Sequence, residues 1–357
     1  MRIAIVSDAW TPQVNGVVTT LADLIDRLGA AGHQVTLLEP SAFRRIPCPG
    51  YREIELVWGA GAALAQRLDD ARPEAIHIAT EGPLGLSARA HCLRRGLPFT
   101  TAFHSRFPEF LSAAFGIPAG WGYAALRRFH APSAAVLVPS AGTLEILRRR
   151  GFVNLRRWSH GIDLERFRPR SGVHINLAKP IFLYVGRVSP EKNLEAFLDL
   201  ELPGSKLVCG NGPLLERYRR AYPGVHWRGA IPRHELVDYY SAADVFVYPS
   251  RTDTFGMVML EALACGLPVA AYPVAGPLDV VGRSDAGVLD TDLRRAALRA
   301  LQVPRETARA RARMFDPGAV CRQFLAHLAP IDRPGTAGGF GHGAARTEAP
   351  VAGLRFP

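Results

Sequence analysis

"DVFVYPSRTDTFGMVMLEALACGLPVAAYP", residues 244–273, reads as a complete strand–helix–strand unit. The run of valine and aromatic residues ends at Ser250, the loop Arg251 to Phe255 follows, and Gly256 precedes the helical run "MVMLEALACG". Gly266 and Pro268 stop that helix, and "PVAAYP" reads as the next strand. Beyond its first strand stand two acids, Asp253 and Glu261, with no charged side chain between them. Ligands of open α/β sheets bind beyond the carboxyl ends of the strands, which is where Asp253 falls. Glu261 lies one or two turns into the helix. The pair reads either as ordinary charges flanking a buried helix or as two hands of one binding site.

Outward from this unit the same alternation covers most of the chain. "RIAIVS", "QVTLLE", "EAIHIA", "PFTTAF" and "AAVLVPS" read as strands in the first half, with amphipathic stretches such as "TTLADLIDRLGAAG" between them. The segment "RFRPRSGVHINLAKP", broken by proline and glycine, reads as a linker. Beyond it "IFLYVG", "KLVCG", "VHWRG", "DVFVYPS", "PVAAYP" and "AGVLD" repeat the pattern. The expectation is an α/β protein of two doubly wound Rossmann-like domains, residues 1–172 and 173–315. A helix over 316–330 is expected to pack back on the first domain, and the glycine- and proline-rich end, 331–357, to be disordered.

The 357 residues are 48% hydrophobic and 21% charged, ordinary for soluble globular domains. The net charge is +11, and residues 1–172 hold +7 of it, from 21 basic and 14 acidic side chains. Such a surplus suits anionic partners. Only Lys179, Lys192 and Lys206 are lysines, so a lysine inside a motif stands out. The five cysteines are scattered without paired spacing, which suits reduced thiols. With no signal-peptide pattern and no apolar run near the ~18 residues of a spanning helix, a cytoplasmic location is expected. The arginines are spread over both halves without a recognition helix or stacking motif, so nucleic acid is not an expected partner. Neither half carries the full G-x-G-x-x-G fingerprint with its later acid, which disfavours a nicotinamide dehydrogenase.

Several other strand ends carry candidate chemistry. Gly16 in "NGVV" precedes a helix starting near Val17, where a close backbone and free N–H groups would meet an anion; a plain turn explains it equally well. Arg187 and Lys192 in "GRVSPEKN" lie on a loop leading into a helix beginning near Pro190, and two cations there would stabilise a diphosphate; a solvated basic loop is the plainer reading. Gly210 and Gly212 in "GNGP" are an incomplete glycine fingerprint. Ile231, before Pro232, borders a turn that a flat base would fit, although a proline that simply starts the next helix explains it equally well. Thr254, Phe255, Gly256, Met257 and Val258 form the start of the helix that carries Glu261.

"NGVV", "GRVSPEKN", "GNGP" and "PSRTDTFGMVMLEALACGLPVAA", in this order and spacing, resemble the retaining glycosyltransferases of family four, with the GT-B architecture, over almost the whole chain to about residue 330. The resemblance implies two Rossmann-like domains facing a central cleft, a nucleotide-sugar donor and no required metal or other cofactor. It places Gly16 near the donor phosphates, Arg187 and Lys192 on the diphosphate, and Glu261 on the ribose hydroxyls. The backbone at Phe255 to Val258 would meet sugar and phosphate. The family has two glutamates separated by seven residues; the first is Asp253 here, shorter by one methylene. His104, after a first-half strand, corresponds to a histidine near the donor sugar. Catalytic roles are thus expected for His104, Arg187, Lys192 and Asp253.

Glu81, Gly82 and Arg106 mark the acceptor side. "FGIPAGWGYAALRRFHAPSAA" sets Trp121, Tyr123, Leu126 and Phe129 beside Arg127 and Arg128, a composition that suits an anionic membrane surface as well as a core-facing helix. "FHSRFPEF" and "WGYAALRRFH" resemble bacterial members that glycosylate diacylglycerol, so a lipid acceptor is expected, with a glycan or phosphoinositide as the alternative. Asp290 and Asp292 form the D-x-D of a late loop and are not read as a metal site.

Overall fold

The computed structural model describes residues 1–332 apart from 12, 14, 49–50, 105 and 110–115; of residues 47, 48 and 51–55 only the backbone is described. The expected disorder of the C-terminal end falls almost wholly outside the described residues.

Two parallel sheets organise the chain. The first is built from β1 (Arg2–Val6), β2 (Gln34–Leu38), β5 (Ala75–Ile78), β6 (Thr100–Ala102), β7 (Ala135–Val138) and β8 (Leu155–Arg157), in the order β2-β1-β5-β6-β7-β8. A small antiparallel hairpin, β3 (Arg45–Cys48) and β4 (Tyr51–Val57), is an addition that the sequence pattern did not announce. Helices α1 (Gly16–Ala30), α2 (Gly61–Ala71), α3 (Pro83–Arg95), α4 (Ala119–His130) and α5 (Ala141–Arg149) accompany this sheet.

The second sheet contains β9 (Ile181–Val185), β10 (Ser205–Cys209), β11 (His226–Gly229), β12 (Val245–Tyr248), β13 (Val269–Ala271) and β14 (Gly287–Leu289), in the order β11-β10-β9-β12-β13-β14. With it come α6 (Glu195–Leu198), α7 (Leu215–Ala221), α8 (Leu236–Ala242), α9 (Met257–Ala264), α10 (Ala275–Val280), α11 (Leu293–Ala300) and α12 (Arg305–Ala312). The last helix, α13 (Pro317–His327), starts at Asp316, whose carboxylate accepts from the N–H groups of Gly318 and Ala319, each at 2.9 Å.

Period-two side-chain direction sends alternate residues of each strand into separate cores. Ile3 and Ile5 join Leu24, Trp158 and Phe324 on one face, whereas Ala4 and Val6 join Ile76, Ile78 and Leu84 on the other. Ile181, Leu183 and Val185 pack with Leu260 and Leu263, while Phe182 and Tyr184 pack with Phe197 and Ala297. Each fully buried aliphatic or aromatic side chain contributes about 1.5–3 kcal/mol, so burial on both faces explains the unbroken apolar strands. Cys321 and Phe324 of α13 join the cluster of Ile3 and Ile5, and Ile331 N–H donates to the Glu74 carbonyl at 2.8 Å. The chain end therefore returns to the first sheet.

Candidate active site

Strand order reverses between β9 and β12, and the loops leaving their carboxyl ends, 186–193 and 249–256, line the crevice this creates. Polar contacts lace the two loops together. Lys192 Nζ donates to Asp253 Oδ1 at 2.5 Å, Asn193 Nδ2 to the Pro249 carbonyl at 3.0 Å, and Thr252 Oγ1 to the Glu191 carbonyl at 3.1 Å. The continuous helix expected from Pro190 is absent. A 3-10 turn over Pro190–Lys192 ends at Asn193, whose φ of 52° is left-handed, and α6 is a separate four-residue helix. That break turns the Asn193 amide onto the opposite loop.

The other Asp253 oxygen accepts the Tyr248 hydroxyl. Burial works to raise the Asp253 carboxyl, but the Lys192 charge and the hydrogen bonds from Lys192 and Tyr248 prevail and hold it below its ordinary range. Asp253 is thus a fixed anion neutralising Lys192. On the same loop the Arg187 carbonyl accepts the Tyr184 hydroxyl at 2.8 Å.

The start of α9 forms the next wall. Gly256 has φ 92°, and a Cβ there would lie 2.6 Å from Met259 Cε and 2.8 Å from the Tyr248 hydroxyl, so glycine is required. No side chain caps α9; Met259 N–H donates to the Gly256 carbonyl at 3.0 Å, so the Met257 and Val258 N–H groups at the positive end are those that would meet an anion. At α1 the outcome differs from the sequence expectation. Asn15 Oδ1 accepts from Val17 and Val18 N–H, each at 3.0 Å, so those donors are already occupied. Gly16 nonetheless has open space where a Cβ would stand.

Glu261 is 3% exposed, deep in α9. Its Oε1 accepts Arg233 Nε at 2.8 Å and its Oε2 accepts the Tyr240 hydroxyl at 3.0 Å. Burial pushes this carboxyl up, and Arg233 counters the effect. A carboxylate offers two lone-pair positions per oxygen, so each oxygen keeps one for a further donor. Asp253 and Glu261 therefore belong to separate ion pairs, and neither is a free carboxylate beside the other.

The first half meets this crevice through Thr254 and His104. Thr254 Oγ1 donates to the His104 carbonyl at 2.6 Å, and Thr143 Oγ1 donates to the Thr254 carbonyl at 3.3 Å. The His104 ring stacks with His160 at 6.3 Å between centroids, and His160 meets Phe255 edge-on at 4.8 Å. Burial lowers His104 to about 4 and His160 to about 3, so both rings are neutral near pH 7. His104 Nε2 and His160 Nδ1 are buried with no hydrogen-bond partner among the described residues. Phe255 and Met257 are buried, at 2% and 8% exposure, so neither side chain is presented to a ligand.

Of the residues expected on the acceptor side, Glu81 receives His130 Nε2 at 3.2 Å. Gly82 leaves room for Asp8, whose carboxylate accepts from Thr80 Oγ1 at 2.7 Å and from Leu84 and Gly85 N–H at 2.7 and 3.2 Å. Arg106 is turned inward onto Glu109 at 2.5 Å. The expected membrane-facing cluster is mostly core: Tyr123, Leu126 and Phe129 are 3%, 9% and 5% exposed. Trp121 remains 74% exposed, on the outer face of α4 with Arg128, and Arg127 is also exposed.

Gly210 and Gly212 have a packing reason for being glycine. A Cβ on Gly210 would lie 1.8 Å from the Gly186 carbonyl oxygen, and one on Gly212 would lie 2.3 Å from that of Val188. Ile231 sits half-buried against the core that contains Leu260. Asp290 is paired with Arg295 at 2.5 Å, and Asp292 caps α11 through Arg295 N–H at 3.0 Å, so both carboxylates have structural tasks.

Asp8, Asp23, His160 and Arg233 are site-proximal residues that the sequence reading missed. Asp8 carried a usable signal, an acid just beyond the first strand. Asp23 and Arg233, 3.1 Å apart in space and 210 positions apart in sequence, carried none.

Known proteins agree with this geometry. The family model "Glycosyltransferase Family 4" matches residues 14–166, and "Glycosyl transferases group 1" matches residues 166–292. A GDP-mannose-dependent alpha-mannosyltransferase of Mycobacterium tuberculosis is 29% identical over 319 residues, covering 81% of this chain and 83% of its own. An alpha-monoglucosyldiacylglycerol synthase of Streptococcus pneumoniae is 28% identical, covering 76% and 71%. The solved sucrose-phosphate synthase of Thermosynechococcus elongatus superposes with a TM-score of 0.74 at 24% identity, over 91% of this chain and 97% of its own, and so shares the fold. Two matched family halves in succession, each carrying its own parallel sheet, mean that the chain belongs to the GT-B glycosyltransferases of family four, which use a nucleotide sugar.

Proposed function

We propose that the protein transfers a hexosyl group from a UDP- or GDP-sugar to a hydroxyl of a membrane lipid, with retention of anomeric configuration. The observation that carries this reading is the meeting of Lys192, the uncapped start of α9 and Glu261 around one crevice. Arg187, Lys192 and the α9 N–H groups hold the diphosphate and receive its growing charge, Glu261 takes the ribose diol, and Asp253 and His104 face the hexose. The anomeric carbon–phosphate oxygen bond breaks as the acceptor oxygen bonds on the same face. The acceptor proton passes to the departing phosphate oxygen, so no protein carboxylate need act as nucleophile. Fixed cations and helix N–H groups supply the neutralisation, and transfer is expected to persist in excess EDTA. GDP-mannose and UDP-glucose head the donor panel because relatives are named for mannosyl and glucosyl transfer. Product identification after incubation with membranes tests the reading, and release of sugar from no donor in the panel would refute it.

A lipid acceptor is supported by the outer face of α4. Trp121 and Arg128, seven positions apart, share that face, and Gly122 packs on Pro108, next to Phe107, which is 49% exposed. An exposed aromatic beside arginines suits a headgroup region that is anionic. Among the described residues no helix is long and apolar enough to cross a membrane. Trp121→Ala combined with Arg128→Ala is expected to weaken binding to phosphatidylglycerol vesicles about tenfold or more, at roughly 1 kcal/mol per arginine plus the lost ring. Equal sedimentation of the double variant and the parent chain would remove α4 from the interface.

A further inference from the structure

Arg233 stands where three parts of the molecule meet. It follows the turn after β11, and its guanidinium donates through Nε to Glu261 at 2.8 Å and through Nη1 to both Asp23 oxygens at 3.1 and 3.2 Å. The same group lies 4.9 Å from the centre of the Phe167 ring, in the segment that joins the two sheets. Glu261 belongs to the helix that opens the donor crevice, and Asp23 to α1 of the opposite half. One guanidinium thus pairs simultaneously with the carboxylate assigned to the ribose and with a carboxylate across the cleft. Its planar fork is suited to holding both in fixed directions, which a lysine is not.

We propose that Arg233 is a positioning residue that couples nucleotide binding to the apposition of the two halves. It does so by orienting Glu261 with one edge of its guanidinium and holding Asp23 with the other. The inference rests on the assignment of Glu261 to the donor ribose. With Arg233 Nε on Oε1 and the Tyr240 hydroxyl on Oε2, the carboxylate is fixed so that each oxygen presents its remaining lone pair to one of two neighbouring hydroxyls. A ribose bound there adds to the arrangement and does not displace Arg233, whose positive charge the buried carboxylate needs throughout. The Asp23 contact limits where the guanidinium sits. Drawing the halves apart releases that limit and lets Glu261 turn, so nucleotide binding and apposition favour each other reciprocally.

Asp23 is the informative position to alter. Arg233→Ala would strand the Glu261 carboxylate in the interior and risks unfolding the chain. Asp23 lies with its side chain 34% exposed on α1, and its loss leaves the Arg233–Glu261 pair intact. Calorimetric titration with UDP and with GDP is run on the parent chain, Asp23→Ala, Asp23→Glu and Glu261→Ala. The expected result is affinity for the preferred nucleotide weakened about tenfold in Asp23→Ala, within the usual range of intersite coupling. Asp23→Glu should recover most of it, and Glu261→Ala should lose binding. Unchanged affinity in Asp23→Ala, or no recovery in Asp23→Glu, alongside lost binding in Glu261→Ala, overturns the coupling alone. Parent-like affinity in Glu261→Ala overturns the ribose assignment and the coupling with it.

Discussion

Lys192→Ala lowers kcat/KM for sugar transfer by about a hundredfold to a thousandfold while the chain remains folded. The magnitude is that of removing one preorganised donor from a site where charge develops in the transition state. Lys192 qualifies because it sits on the loop after β9, at the point of strand-order reversal, and its ammonium is fixed 2.5 Å from Asp253. The stability effect is smaller than that of a fully buried pair. The Lys192 and Asp253 side chains are 25% and 20% exposed, so screening by water reduces the cost to about 1–2 kcal/mol. The double variant Lys192→Ala/Asp253→Asn separates the two consequences. It should melt like the parent chain, since the unpaired carboxylate is gone, and still fail to transfer sugar. Activity of Lys192→Ala within fivefold of the parent would mean that this lysine serves only to neutralise Asp253.

Each strand quoted from the sequence is present; the central ones, such as β1, β5, β7, β9 and β12, are buried almost throughout and leave an apolar signal in every short window, while the edge strands β2, β11 and β14 are only partly buried. The missed elements are those whose stability comes from elsewhere. β8, "LRR", is an edge strand with both arginines exposed, and it is held by pairing with β7. The break at Asn193 was illegible because its reason, the Pro249 carbonyl, lies on another loop. At the site, glycine and lysine positions were legible through motif spacing, but spacing does not reveal partners. Asp253 was expected to have a catalytic role, yet its two oxygens are taken by Lys192 and the Tyr248 hydroxyl; Glu261 read as a ribose ligand, yet its orientation depends on Arg233 from the turn after β11. Gly210 and Gly212 read as ligand glycines, whereas carbonyl groups of the neighbouring loop fill the space a side chain would need. Three histidines from separate segments were equally invisible as a group.

Those histidines make the folded state acid-sensitive, and stability is expected to fall steeply as pH drops from about 7 to 5, well before ordinary carboxylates titrate. His77 is wholly buried, with Nδ1 2.9 Å from Thr100 Oγ1 and its ring edge-on to Phe324 at 5.0 Å and Trp158 at 6.4 Å. Burial, with some repulsion from His104, lowers its pKa to about 3; burial likewise lowers His104 to about 4 and His160 to about 3. The unfolded chain binds a proton at each of these positions below about pH 6.5, while the folded chain refuses it down to about pH 4. Each histidine therefore removes about 2 kcal/mol of stability between pH 7 and pH 5, and three together remove an amount comparable to the whole stability of a typical domain. The carboxyls of Asp8 and Glu261, raised by burial, work in the opposite sense, because the folded state takes up their protons first as the pH falls. Asp253, held low, contributes its stability at and above ordinary carboxylate pKa values and loses it only in stronger acid. A single variant isolates the histidine effect: His77→Leu removes one titrating group and leaves Thr100 Oγ1 a 3.5 Å contact with the Ile76 carbonyl. Urea unfolding at pH 7, 6 and 5 should show a pH slope averaging about 1 kcal/mol per unit shallower in His77→Leu than in the parent chain, the effect of one proton that the unfolded chain takes up around pH 6.5. Parallel pH profiles would mean that His77 is protonated in the folded state too, with water reaching the Trp158–Phe324 cluster. In that case the neutral charge state assigned to neighbouring His104 and His160 would lose its physical basis.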